Sequence, residues 1–125
     1  AWDEDNAFAR QDFGLTTRHD ENVLMRKVMA LPDYSRQYFT ALQDSANSAG
    51  RPDEGQSEGW LQAEVRRQLD LIAEAMREDP SKPFTNDEFE AGRAAMLEFP
   101  DPRISYVVCE TTTALGQSPA AGVCP

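Results

Sequence analysis

Apolar residues recur along most of this chain at the three- and four-residue intervals of a helix rather than the two-residue interval of a strand. After Asp20, which can serve as an N-cap, the run ENVLMRKVMAL places Leu24, Val28 and Leu31 on one helical face, and Pro32 closes it. A second helix is expected from about Asp33 to Asn47, with Tyr34, Tyr38 and Leu42 four apart and Phe39 and Ala41 beside them. The stretch SAGRPDEGQSEG, rich in Gly, Ser and charge, reads as a surface loop. The third helix has the clearest pattern: Leu61, Val65, Leu69, Ile72, Ala73 and Met76 form a stripe that Glu64, Arg66, Arg67, Asp70, Glu74 and Arg77 avoid. Glu78-Asp79-Pro80 ends it. The fourth has an explicit start. Thr85 stands at the N-cap and Glu88 three residues on, the capping-box spacing, with Phe84 and Phe89 at the staple positions. Phe89, Met96 and Leu97 continue its apolar face until Pro100 and Pro102 interrupt. In RISYVVCETTTAL the β-branched residues leave helix and strand open; helix agrees with the rest of the chain.

Residues 1–20 show no helical period and read as an extended or looped arm whose apolar anchors are Trp2, Phe8, Phe13 and Leu15. The expected fold is mainly α: a small four- to five-helix bundle with an extended, non-helical N-terminal arm. It divides into an arm (1–20), a bundle (21–115) and an irregular tail (116–125).

Charge narrows the partners. Among 125 residues, 22 are acidic and 12 basic, a formal net charge of −10. Phosphate backbones select basic surfaces, so no nucleic-acid partner is expected, nor an anionic membrane surface. No apolar run approaches the ~20 residues that span a bilayer, so no membrane insertion is expected. Acidity suits solvation, a cation or a basic partner. The chain starts at Ala1 without an initiator Met or a basic-then-apolar leader, as a processed product or a fragment would. Cys109 and Cys124 are separated by a stretch holding Gly116, Pro119 and Gly122, which closes easily. A disulfide in an exported protein is the preferred reading, and two free thiols the alternative. With no His nearby the pair does not make a zinc site.

Four features invite a chemical reading. Asp12-Phe13-Gly14 matches a kinase magnesium motif, but Ala-Arg-Gln precedes it instead of an apolar strand, and the chain has no Gly-rich phosphate loop. Asp3 and Asp5, beside Trp2, point the same way on an extended chain and could hold a hard cation; an acidic pair of this kind is more often simply solvated. His19 is a lone histidine near a helix start, expected at the surface or in a cap. Tyr34, Tyr38, Phe39 and Trp60 could form a ligand surface, though helical spacing favours the core.

Two stretches together add a resemblance. WDEDNAF followed by ENVLMRKVMALPDYSRQYFTAL, and WLQAEVRRQLDLIAEAMREDPSKPFTNDEFEAGRAAMLEF followed by PRISYVV, resemble in order the C-terminal part of the CotH (spore coat protein H) family of atypical protein kinases. The resemblance covers roughly residues 1 to 110 and includes a P-x-Y-type turn at Pro32 to Tyr38. It implies that Asp3 and Asp5 match the family's WDxD motif, whose aspartate binds magnesium with ATP. The family's Gly after the Phe is replaced, Phe8 being followed by Ala9-Arg10. The family's phosphate loop, nucleotide-binding Lys and catalytic base precede WDxD, so this chain is expected not to be a complete kinase alone. The first expectation is a non-catalytic structural or interaction subunit, or fragment, of an exported assembly. Its partner would be another polypeptide that supplies the N-terminal half or covers Trp2, Phe8 and Phe13. The second is the metal-binding half of a split or cleaved CotH-like kinase that transfers phosphate from ATP to protein Ser or Thr.

Overall fold

The computed structural model describes residues 10–118 and 124. Five helices follow in order: α1 (Val23–Met29), α2 (Pro32–Gly50), α3 (Trp60–Glu78), α4 (Asn86–Glu98) and α5 (Pro100–Ala114). The fold is a small, mainly helical bundle preceded by a non-helical segment of turns. α2 packs chiefly on α5, α3 chiefly on α4, and α4 and α3 both touch α5. Ala46, Val65, Leu69, Ala73, Phe89 and Phe99 make the buried apolar core. Among the described residues no helix is long and apolar enough to cross a membrane.

α1 departs from its expected start and face. Asn22, not Asp20, is the N-cap, and its side chain accepts from the Leu24 and Met25 N–H groups. Asp20 falls instead within a run of turns in which Arg18 takes a left-handed φ of 64° and the Glu21 N–H bonds to the Arg18 carbonyl. Leu24 is 70% exposed and Leu31 is exposed too, while Met25, Val28 and Met29 turn inward. A seven-residue helix against one neighbour buries only the side that neighbour meets, and α1 has no fully buried residue.

Pro32 does not merely stop α1. It occupies the first turn of α2, where its missing N–H costs no helix bond. Pro100 does the same for α5, which settles 100–114 as helix. The hydroxyls of Thr111 and Thr113 bond back along the helix, which at buried Thr111 pairs a group that would otherwise be left unpaired. Thr111 is 0% exposed and donates to the Val107 carbonyl at 2.8 Å. α5 closes in a Schellman motif: the Gln117 N–H bonds to the Thr112 carbonyl, the Gly116 N–H to that of Thr113, and Gly116 takes φ 68°. Beyond it Cys124 is disulfide-bonded to Cys109.

The loop after α2 is tied at its neck. Pro52 bridges to Gly59, and the Trp60 N–H bonds to the Arg51 carbonyl at 2.9 Å. A Cβ on Gly59 would stand 2.8 Å from the Gly50 carbonyl oxygen, so this backbone approach excludes any side chain there.

The α4 start is as its sequence predicts. Glu88 accepts from the Thr85 N–H at 2.8 Å, and Thr85 accepts from the Glu88 N–H at 3.2 Å. Between α3 and α4 run two cross-helix ion pairs, Arg77 with Glu90 at 2.6 Å and Arg93 with Asp70. The Gln62 amide also donates to the Leu97 carbonyl at 2.7 Å.

Three carboxylates on this hairpin are held below their usual range. Hydrogen bonds from Arg67 lower Glu64 to about 2; the Thr85 backbone lowers Glu88; Arg77 lowers Glu90. A depressed folded-state value stabilises above the unfolded value and is lost as pH falls through the folded one. Helix content followed by circular dichroism is therefore expected to hold above about pH 5 and to decline toward pH 2. A flat profile across that window would refute the assignment.

Candidate functional site

The segment after residue 9 is fastened to one stripe of α5. Arg103, Tyr106 and Glu110 stand at i, i+3 and i+7 and share a helical face. Arg103 Nη1 donates to the Phe13 carbonyl at 2.6 Å and to that of Gln11 at 3.1 Å. Glu110 Oε2 accepts from the Leu15 N–H at 2.8 Å. From α2 the Tyr38 hydroxyl donates to the Leu15 carbonyl at 3.0 Å, and the Gln11 amide donates to the Glu98 carbonyl at 3.3 Å. Gly14 lies within this latch, where an added Cβ would sit 3.8 Å from the Tyr106 hydroxyl and 2.8 Å from Thr17 Oγ1. The latch thus satisfies main-chain groups on both sides of Gly14 without help from a regular element.

Burial, and then the Glu110 carboxylate, push the Tyr38 and Tyr106 hydroxyls above their ordinary value, so both remain protonated donors through neutral pH. The Arg103 guanidinium lies 5.5 Å over the Tyr106 ring. His19 is half-buried, edge-on to Tyr38 with ring centroids 5.5 Å apart, and not a cap. Its buried Nδ1 has no hydrogen-bond partner among the described residues.

Asp3, Asp5, Trp2 and Phe8 lie outside the described residues. Phe13 is 43% exposed at the outer side of the latch, with the Arg10 guanidinium 5.7 Å from its ring. Asp12 pairs with Arg10 at 3.3 Å on the surface. In the Asp-Phe-Gly run Asp12 and Phe13 are thus exposed and Gly14 half-buried, with the Phe13 carbonyl held by Arg103. Among the described residues no group of three or more His, Cys, Asp or Glu is placed to hold a metal ion. Tyr34 and Trp60 are exposed while Tyr38 and Phe39 are half-buried, so these four do not form one core cluster or one ligand surface.

The polar stripe on α5 was missed in the sequence, where PRISYVVCE reads as a mostly apolar run. Its signal is the Arg103, Tyr106, Glu110 spacing, which places charge on a helix otherwise built to be covered.

A second feature lies between α3 and α4. Cavities of about 570 and 380 Å³ adjoin there, and both are lined by Leu69 and Met96. Glu88, Phe89 and Gly92 line the first, and Val65 and Ile72 the second.

Searches against protein-family models, curated proteins and solved structures found no match to this chain.

Proposed function

We propose that this chain is a non-catalytic interaction component, a subunit or fragment, of an exported assembly. Its bundle serves to anchor and present its N-terminal arm to another polypeptide. The observation that carries this reading is the latch: Arg103, Glu110 and Tyr38 hold residues 11–15 while leaving Phe13 exposed. A folded base with a fixed exit point lowers the ordering cost of binding through Trp2, Phe8 and Phe13. The Cys109–Cys124 disulfide is compatible with an extracellular location and supports export. A net charge of −10 disfavours nucleic acid as the partner.

The second reading is the metal-binding half of a split CotH-like kinase. It rests on the order of motifs and on the latch, which fixes the chain to α5 only six residues after Asp5, at Gln11. Here Asp3 and Asp5 would hold magnesium with ATP, and the partner would supply the phosphate-cradling and catalytic groups.

Native mass spectrometry of the purified protein, with Glu110→Ala and Asp5→Asn variants, tests both. Glu110→Ala strips a charged acceptor from the Leu15 N–H, a loss of about 1.5–3 kcal/mol that falls on the latch. Under the first reading a second polypeptide travels with the 14.0 kDa chain, Glu110→Ala weakens it, and Asp5→Asn leaves it in place. Under the second, Asp5→Asn abolishes phosphoryl transfer in the reconstituted complex. A lone monomer in every sample overturns both.

A further inference from the structure

The trough between α3 and α4 is apolar along its floor, where Val65, Leu69 and Phe89 are buried, and open along its top, where Ile72 and Phe84 are exposed. From Leu61 to Ile72 it follows α3 for roughly 16 Å, about three helical turns. It shares no residue with the latch and stands independently of the function proposed above.

Gly92 sits in the middle of α4 and lines this trough. Glycine weakens a helix interior relative to alanine. Nothing among the described residues calls for it: its φ is not positive, and an added Cβ would meet no atom there within 4 Å. Its missing side chain lowers the floor, so that a second backbone can approach closely.

Charge selects the occupant. Arg93, the cation lining the trough, is already engaged by Asp70 and Glu90. Glu64 lines it too but is paired with Arg67, whereas Glu88 is bonded to the Thr85 cap and has no cationic partner among the described residues. A second copy of this chain would bring another −10 of charge against it. We infer that the α3–α4 trough receives an amphipathic helix with basic flanks from a different polypeptide. The apolar side of that helix would cover Leu69, Met96 and Phe89, and its backbone would pass over Gly92.

A displayed library of helical peptides tests this, with apolar residues at i, i+3, i+4 and i+7 and randomised flanks, selected on the full 125-residue chain. Enriched peptides are expected to carry Lys or Arg in the flanks. Gly92→Phe places a ring over the trough from a position whose Cβ meets nothing within 4 Å among the described residues, and should cut their affinity by on the order of tenfold or more with the circular dichroism unchanged. Glu88→Gln keeps the capping box, since glutamine serves at that position, and removes only the charge. It should cost about threefold and flatten the salt dependence. Failure to enrich any peptide, enrichment of acidic or uncharged flanks, or binding indifferent to Gly92→Phe overturns the inference. Indifference to Glu88→Gln overturns the choice of a basic occupant. A concentration-dependent dimer that Gly92→Phe dissociates overturns it in favour of a second copy.

Discussion

Phe99→Ala is expected to destabilise the fold by about 3–5 kcal/mol, the range for emptying a buried aromatic site. Phe99, at 6% exposure, is the least exposed of the six core residues named above, and it lies where α4 ends and α5 begins. Its carbonyl accepts from the Arg103 N–H, and Pro100 beside it is fully buried. A void there would loosen the packing of α4 and α5 and tilt the base of the helix that carries Arg103. Domains of this size are stable by about 5–15 kcal/mol, so the loss is a large share of the whole. Urea titration should show a lower midpoint with an unchanged slope. A midpoint within experimental error of the wild type would mean that the junction is not part of the cooperative core.

Opening the disulfide should have the next largest effect. Cys109 and Cys124 are 15 residues apart, and a closed loop of that length restricts the unfolded chain by about 3 kcal/mol. The paired Cys109→Ser and Cys124→Ser variant, or the native protein under reductant, should lose about that amount. The loss should first appear as faster amide exchange at Gly116 and Gln117, whose N–H groups close α5. Equal urea midpoints with and without reductant would show that the link contributes nothing to stability. A loss of the expected size would favour an oxidising compartment as the place where this fold persists, in line with the proposed export.

What could be read in advance was local. The capping box at Thr85 and Glu88 and the stripe from Leu61 to Met76 are set by residues within a few positions of one another. The capping box is found where expected, and Val65, Leu69 and Ala73 of the stripe are buried, while Ile72 is exposed. The outward turn of Leu24 and Leu31 was not legible, because periodicity identifies a face without saying whether any neighbour covers it. Nor was the latch. Leu15 and Glu110 are 95 positions apart, and Gln11 and Glu98 are 87 apart, so no window of sequence contains both partners. Proline was legible as a boundary but not as the start of the following helix at Pro32 and Pro100. The Cys109–Cys124 pairing was favoured from its short intervening loop, and the two residues are bonded. In the sequence Gly92, a glycine inside a helical pattern, reads only as a weak position. Its place on an open trough gives it meaning.

The Leu15 N–H is held by Glu110, and Cys124 is bonded to Cys109, its neighbour on α5. The incoming and outgoing chain are thus moored one helical residue apart, about 1.5 Å along the axis. Tension applied between those two segments would pass chiefly through the Arg103 to Glu110 stretch of α5, with Tyr38 of α2 and Glu98 of α4 as side attachments, and would bypass α3. The bundle would hang from the load line like a pendant on a chain. The hydrogen bonds of Arg103, Tyr38 and Glu110 would yield first, well before any helix was drawn out. Built into an assembly through its two ends, this domain would bear strain by unclasping its arm and keep its core intact.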